Sequence, residues 1–195
     1  RRYIVVSENY NLKRSDLWQT FLTASNAPLL SGFRKIRWGE FEKWRSWLDQ
    51  DALPDLSLEQ SVVLFRASGS RGIKAFKDNA IDELRDSLDF LLYDPVSLEG
   101  RFAECVNHDG AYHCVGFDKE FITYLLCLRE PALIAIWQPY VIRALKMLGN
   151  CPVNFGKGHK GLAYLDLLDA LMEVRRATGL LDFISVDEYC YAITR

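Results

Sequence analysis

A mainly α-helical, multi-helix globular fold is what this sequence predicts, on three observations. Apolar residues recur at helical spacing along most of the 195 residues. Serine and aspartate stand where helices would start, and proline or glycine where they would stop. Strand-like branching is confined to Tyr3 to Val6, which reads as one short N-terminal strand. With apolar types at 49% and charged types at 26%, the chain is neither disordered nor of low complexity. No apolar run approaches the roughly 18 residues of a membrane span. The first residue is not methionine, as expected of a piece excised from a longer polypeptide.

The elements follow in order. Ser15 is placed to cap a helix opened by Asp16, with Leu17, Trp18, Phe21 and Leu22 on its inner face. Gly32 is expected to end the loop after it. Phe41, Trp44, Trp47 and Leu48 mark a second helix, closed before Pro54. Ser57 and Gln60 form a capping-box signature ahead of Val62, Leu64 and Phe65. The stretch Ser68 to Gly72 reads as an interhelical loop. Ile73, Phe76, Ala80, Ile81, Leu84, Leu88 and Leu91 make one long stripe, with Asp78, Asp82, Glu83, Asp86 and Asp89 on the solvated side. Pro95 ends it and Ser97 caps a short helix through Arg101, Phe102 and Cys105. Asp118 caps a helix carrying Phe121, Ile122, Leu125 and Leu126, and Pro131 breaks it. Pro139 opens another that Gly149 stops. Asn154 to Gly161 reads as a basic glycine loop, followed by a long helix from Leu162 to Gly179, with Arg175 and Arg176 favourably near its C-terminal end. Val186 to Ile193 forms the last helix.

Charge divides the chain more sharply than its net of −2 suggests. Through residue 45 there are nine basic side chains against four acidic, from 46 to 110 six against thirteen, and thereafter nine of each. A basic, tryptophan-rich subdomain over 1–68 and a second over 69–195, together one unit, are the organisation expected. Arg34, Lys35 and Arg37 among Phe33, Trp38, Phe41 and Trp44 suit a phosphate-contacting surface with aromatics, or tryptophans packed inward under solvated cations. Arg71 and Lys74 flank the Ser68–Gly72 break, which lacks the Walker pattern. Five cysteines at irregular spacing fit free thiols in a reducing cytoplasm. Cys105, His108, His113 and Cys114 offer four metal-ligand types within ten positions, but without a finger spacing, and ordinary loop and core roles are favoured over a metal. No nucleophile, dinucleotide or nuclease signature is present, so no catalytic residue and no cofactor is assigned.

The run Leu98-Glu99-Gly100-Arg101-Phe102, then Cys114 to Lys119, Tyr124-Leu125-Leu126, Pro131, Trp137 and Ala144 to Gly149 resembles a helical module of prokaryotic restriction and antiphage proteins, including McrB-type NTPases. Its arrangement is similar to the helix-hairpin-helix part of the 8-oxoguanine glycosylase superfamily, and the resemblance covers the C-terminal half. It implies a degenerate hairpin turning at Val115, Gly116 and Phe117, where backbone N–H groups meet phosphate beside Lys119. The family's second glycine is missing, and Asp118 brings negative charge to the approach. With Gly116 matched to the last hairpin glycine, Trp137 falls on the family's catalytic aspartate position and Gln138 follows it. Neither carries charge, and the lyase lysine position falls on Asp118. The resemblance therefore implies a non-catalytic DNA-binding or DNA-sensing domain of a defence protein, acting on plain, modified or damaged DNA with an NTPase or nuclease elsewhere. The contacts expected of such a domain are Gly116 and Lys119 from the resembling turn, Arg34, Lys35, Arg37, Arg71, Lys74, Lys157 and Lys160 from the basic segments and loops, and Trp137 and Gln138 as walls of a pocket. A protein-assembly module, favoured by the acidic middle segment, and a diverged base-excision glycosylase are the alternatives. No membrane is expected as a partner.

Overall fold

Eight consecutive residues, Phe121 to Leu128, are apolar apart from Thr123 and Tyr124, and a helix that is apolar all round must be enclosed by others. In the computed structural model, which describes residues 8–24, 28–152 and 158–195, all eight are buried in helix α8 (Lys119–Arg129). Around it pack α3 (Phe41–Trp47), α4 (Leu58–Ser68), α6 (Ile81–Tyr93) and α7 (Leu98–Val106). A second set closes the molecule: α1 (Glu8–Ala24), α2 (Pro28–Trp38), α9 (Pro139–Leu148) and α10 (Lys160–Thr178) meet α11 (Phe183–Ile193), or each other through it. Helix α10 also lies along α7, where Gly161 is required: a Cβ there would collide with the backbone carbonyl of Glu99. One apolar cluster runs from Phe21 to Ile193 through all of these layers. The described residues contain no strand, and no helix among them is long and apolar enough to cross a membrane.

Local chemistry accounts for the helix ends. Ser57 accepts from the Gln60 N–H at 3.2 Å while the Gln60 side chain accepts from Ser57 N–H at 2.8 Å, a complete capping box. Asp118 accepts from Phe121 N–H at 2.7 Å, and Pro139 opens α9. Asp182, which shows no apolar stripe before it, caps α11 through Ser185 N–H. Gly149 and Gly179 close α9 and α10 in left-handed conformation.

Several expected boundaries move. Helix α1 starts at Glu8, so Ser15 lies inside it and does not cap it. Gly32 lies within α2 and not in a loop. Burial of Leu30 and Trp38 outweighs the roughly 1 kcal/mol that a mid-helix glycine costs. The stripe from Ile73 to Leu91 is split into α5 (Ile73–Phe76) and α6. Asn79 is the reason: its side-chain amide donates to the Phe76 carbonyl at 2.7 Å and to the Val115 carbonyl at 2.8 Å, competing with helical hydrogen bonding. Ser97 precedes α7 without a side-chain capping bond. The carboxylates of Asp78, Asp82, Glu83, Asp86 and Asp89 are exposed, as their spacing predicts. Tyr3 to Val6 lie outside the described residues.

Candidate functional site

The turn at Gly116 is built by backbone and by Asn79. Phe117 N–H donates to the Cys114 carbonyl at 2.9 Å, Asp118 N–H donates to the Gly116 carbonyl at 2.8 Å, and Val115 N–H donates to Asn79 Oδ1 at 2.9 Å. Gly116 sits third of four residues at φ +87°, a position that glycine fills without strain. A Cβ on it would also stand 3.0 Å from the ring of Phe65 and 3.1 Å from that of Phe76. The turn stays at the surface, with Val115 half exposed. It ends a twelve-residue connection between α7 and α8, residues 107–118, and so does not join the two helices directly.

Beside the turn opens a cavity of about 570 Å³, within the range of roughly 300–1,000 Å³ usual for small-ligand pockets. Gly116, Phe117, Asp118, Lys119 and Glu120 form one side, Phe102, Trp137 and Ala163 line it, and His108, His113 and Lys160 complete it. Its lining belongs to an aromatic stack in which Phe102, Trp137 and Tyr164 lie nearly parallel, with Phe102 and Tyr164 centroids 4.7 Å apart. Trp137 is held by its backbone N–H, which donates to Thr123 Oγ1 at 2.9 Å, and Thr123 in turn donates to the Lys119 carbonyl. The Lys119 ammonium stands 5.0 Å over the Trp137 ring, a cation–π contact. Lys160 donates to the Val106 carbonyl at the end of α7. Burial raises the Glu120 carboxyl above its ordinary range, with the neighbouring Asp118 carboxylate adding to the effect. Ser70 donates to Asp118 Oδ1 at 2.8 Å, which brings the loop bearing Arg71 alongside.

Of the residues the sequence singles out, Gly116, Lys119, Lys160 and Trp137 therefore meet in one place. Lys35, Arg71 and Lys74 are exposed and do not line the cavity. Arg34 is committed to Glu188 at 2.8 Å, and Lys157 lies outside the described residues. Arg37 is a correction, because it is buried and cannot meet phosphate. Its Nε donates to Asp187 at 2.9 Å, its Nη1 to the Ser68 carbonyl at 2.8 Å, and Tyr140 donates to the other Asp187 oxygen at 2.6 Å. Burial pulls the Arg37 pKa down, but the Tyr140 phenol and the Asp187 carboxylate outweigh it and keep the guanidinium charged. Gln138 is likewise absent from the cavity lining: it is buried and donates to the Ser68 carbonyl at 2.8 Å. Trp38 and Trp44 pack inward, the second of the two arrangements the N-terminal aromatics allowed.

Cys105, His108, His113 and Cys114 do not gather into one four-ligand set. Cys105 and Cys114 are buried free thiols, and burial raises the Cys105 thiol to about 12. Cys114 Sγ faces Ser87 Oγ at 3.3 Å. Among the described residues no three His, Cys, Asp or Glu side chains converge as a metal cluster. Sequence reasoning missed Phe102, Phe117, Glu120 and Ala163 as parts of the cavity. Phe102 reads as a core residue of a short helix, Ala163 carries no signal of its own, and only the small residue Gly161 hints that α10 approaches α7. Compared with family models, curated proteins and solved structures, the chain matches none.

Proposed function

We propose that the chain is a non-catalytic nucleic-acid-binding domain that takes an unstacked base of DNA into the cavity beside Gly116 and holds the adjoining phosphates at its rim. The observation that carries this reading is the convergence of the Gly116 turn, Lys119 and Lys160 on one apolar, aromatic-lined cavity. A phosphate arriving at the rim attracts the Lys119 ammonium away from Trp137, at the loss of a cation–π contact worth about 0.5–2 kcal/mol. That movement uncovers the indole for the base, and base–aromatic stacking contributes about 1–3 kcal/mol. Arg71, next in sequence to the Ser70 that bonds Asp118, extends the cationic track. The position that the family resemblance assigns to a catalytic aspartate is Trp137, so the reading is recognition without base excision. A place in a prokaryotic defence protein of the reducing cytoplasm, with its motor or nuclease on another domain, accords with that resemblance.

Fluorescence anisotropy with labelled single-stranded, double-stranded and modified-base oligonucleotides tests it. Binding is expected at low salt, to weaken with a slope set by a few phosphate contacts, and to fall on the order of tenfold in Lys119→Ala. Absence of binding to every oligonucleotide at low salt overturns the reading. Cleavage of damaged strands that disappears in Lys119→Ala replaces it with a diverged base-excision enzyme.

A second reading has its own observation. Asp49, Asp51 and Asp55 line one shallow groove, and Asp82, Asp86 and Asp89 line another that shares Gln50 with it. The acidic middle of the sequence thus gathers on one face, suited to docking a basic partner subunit. Co-elution with such a subunit in size-exclusion chromatography, lost when Asp82, Asp86 and Asp89 are changed to Asn together, would favour assembly over DNA recognition.

A further inference from the structure

His108 and His113 meet beside the cavity. Nδ1 of His108 lies 3.2 Å from Nε2 of His113, with the two rings nearly perpendicular. The other ring nitrogen of His113, Nδ1, stands 2.9 Å from the Cys105 carbonyl oxygen. A carbonyl only accepts, so Nδ1 carries the proton and the neutral ring turns the lone pair of Nε2 toward His108. Fixing an imidazole by a carbonyl on its far nitrogen is the way metal-binding histidines are oriented. The separation fits as well. Two nitrogens 3.2 Å apart, each about 2.05 Å from a zinc ion, subtend roughly 100° at the metal, close to the tetrahedral value of about 109°. A proton shared between the rings and an ion shared between them use the same two atoms. Exchanging one for the other requires that the His108 proton move to Nε2 and that both rings turn until their lone pairs converge on the ion.

We propose that His108 and His113 form a two-histidine site for a first-row divalent cation, zinc foremost. Imidazole favours such ions. No third His, Cys, Asp or Glu among the described residues completes the set. The remaining positions are left to water or to an anionic group of a molecule in the cavity, which both histidines line. Cys105 contributes its carbonyl, not its buried thiol. The inference does not depend on nucleic-acid recognition.

Isothermal titration of the full chain with zinc chloride near neutral pH is expected to show saturable uptake of one ion, and His108→Ala should weaken it on the order of tenfold or more. His108 is exposed, so the fold should survive this change. A second readout serves His113, whose carbonyl bond also shapes its loop. With cobalt(II) as probe, paramagnetic broadening should strike the ring signals of His108 and His113 more strongly than that of His159, the third histidine of the chain. The proposal is overturned by absence of saturable uptake at millimolar zinc, by unchanged uptake in His108→Ala, or by broadening centred away from the pair. Zinc uptake in a chain that binds no oligonucleotide leaves this site standing and removes only the nucleic-acid reading.

Discussion

Glu120 carries a cost that pH can switch. Its carboxyl is raised above the ordinary value of 4.5 by burial first and by Asp118 second. A carboxyl with a folded pKa above its unfolded one keeps its proton longer in the native chain. The native state therefore holds more protons between the two values, and stability falls as pH rises through that window. The window opens near 4.5 and extends upward, and above it the penalty is fully present. Glu120→Gln should accordingly be more stable than the parent near neutrality and equal to it once the pH is below the ordinary carboxylate range, as urea midpoints at the two pH values would show. The same change removes negative charge from the cavity, so oligonucleotide affinity should rise together with stability. A purely structural role for Glu120 would not move the affinity.

Helix α8 depends on the turn before it. Asp118 caps its first turn and at the same time accepts from Ser70, so one carboxylate ties the helix to the loop after α4. Asp118→Ala should cost about 1–2 kcal/mol in denaturant unfolding, whereas Asp118→Asn should keep most of the cap and tighten nucleic-acid binding by removing a charge. Elements with a local signal of this kind were legible from the sequence: the Ser57 capping box, Asp118, Pro139, Gly149 and Gly179 all act where their chemistry placed them. Elements that a distant residue decides were not. The break at Asn79 arises because its amide serves Val115, 36 positions onward, and no helical pattern around Ile73 to Leu91 registers that competition. The site divides in the same way. Gly116 and Lys119 are neighbours in sequence, but their union with Phe102, Trp137 and Lys160 comes from the packing of α7, α8 and α10.

Arg37 shows how long-range closure overrides a local pattern. Cations interleaved with aromatics suggested a surface, yet a carboxylate 150 positions away claims the guanidinium. Arg34 and Glu188 repeat the connection one turn along, and Phe33 stacks on Tyr191 at 4.0 Å. Asp187→Ala should cost about 3–5 kcal/mol by leaving a buried cation uncompensated, a large share of the roughly 5–15 kcal/mol that holds a typical domain together. Replacing both partners by apolar residues, as Arg37→Met with Asp187→Leu, should cost less than the single change, and chemical denaturation of the two variants makes the comparison. This buried pair also bears on biosynthesis. A ribosome delivers Arg37 long before Asp187, so in the nascent chain the guanidinium stays solvated and without its carboxylate until residue 187 has been added. The N-terminal helices cannot settle into their final arrangement until the segment containing Asp187 has left the exit tunnel.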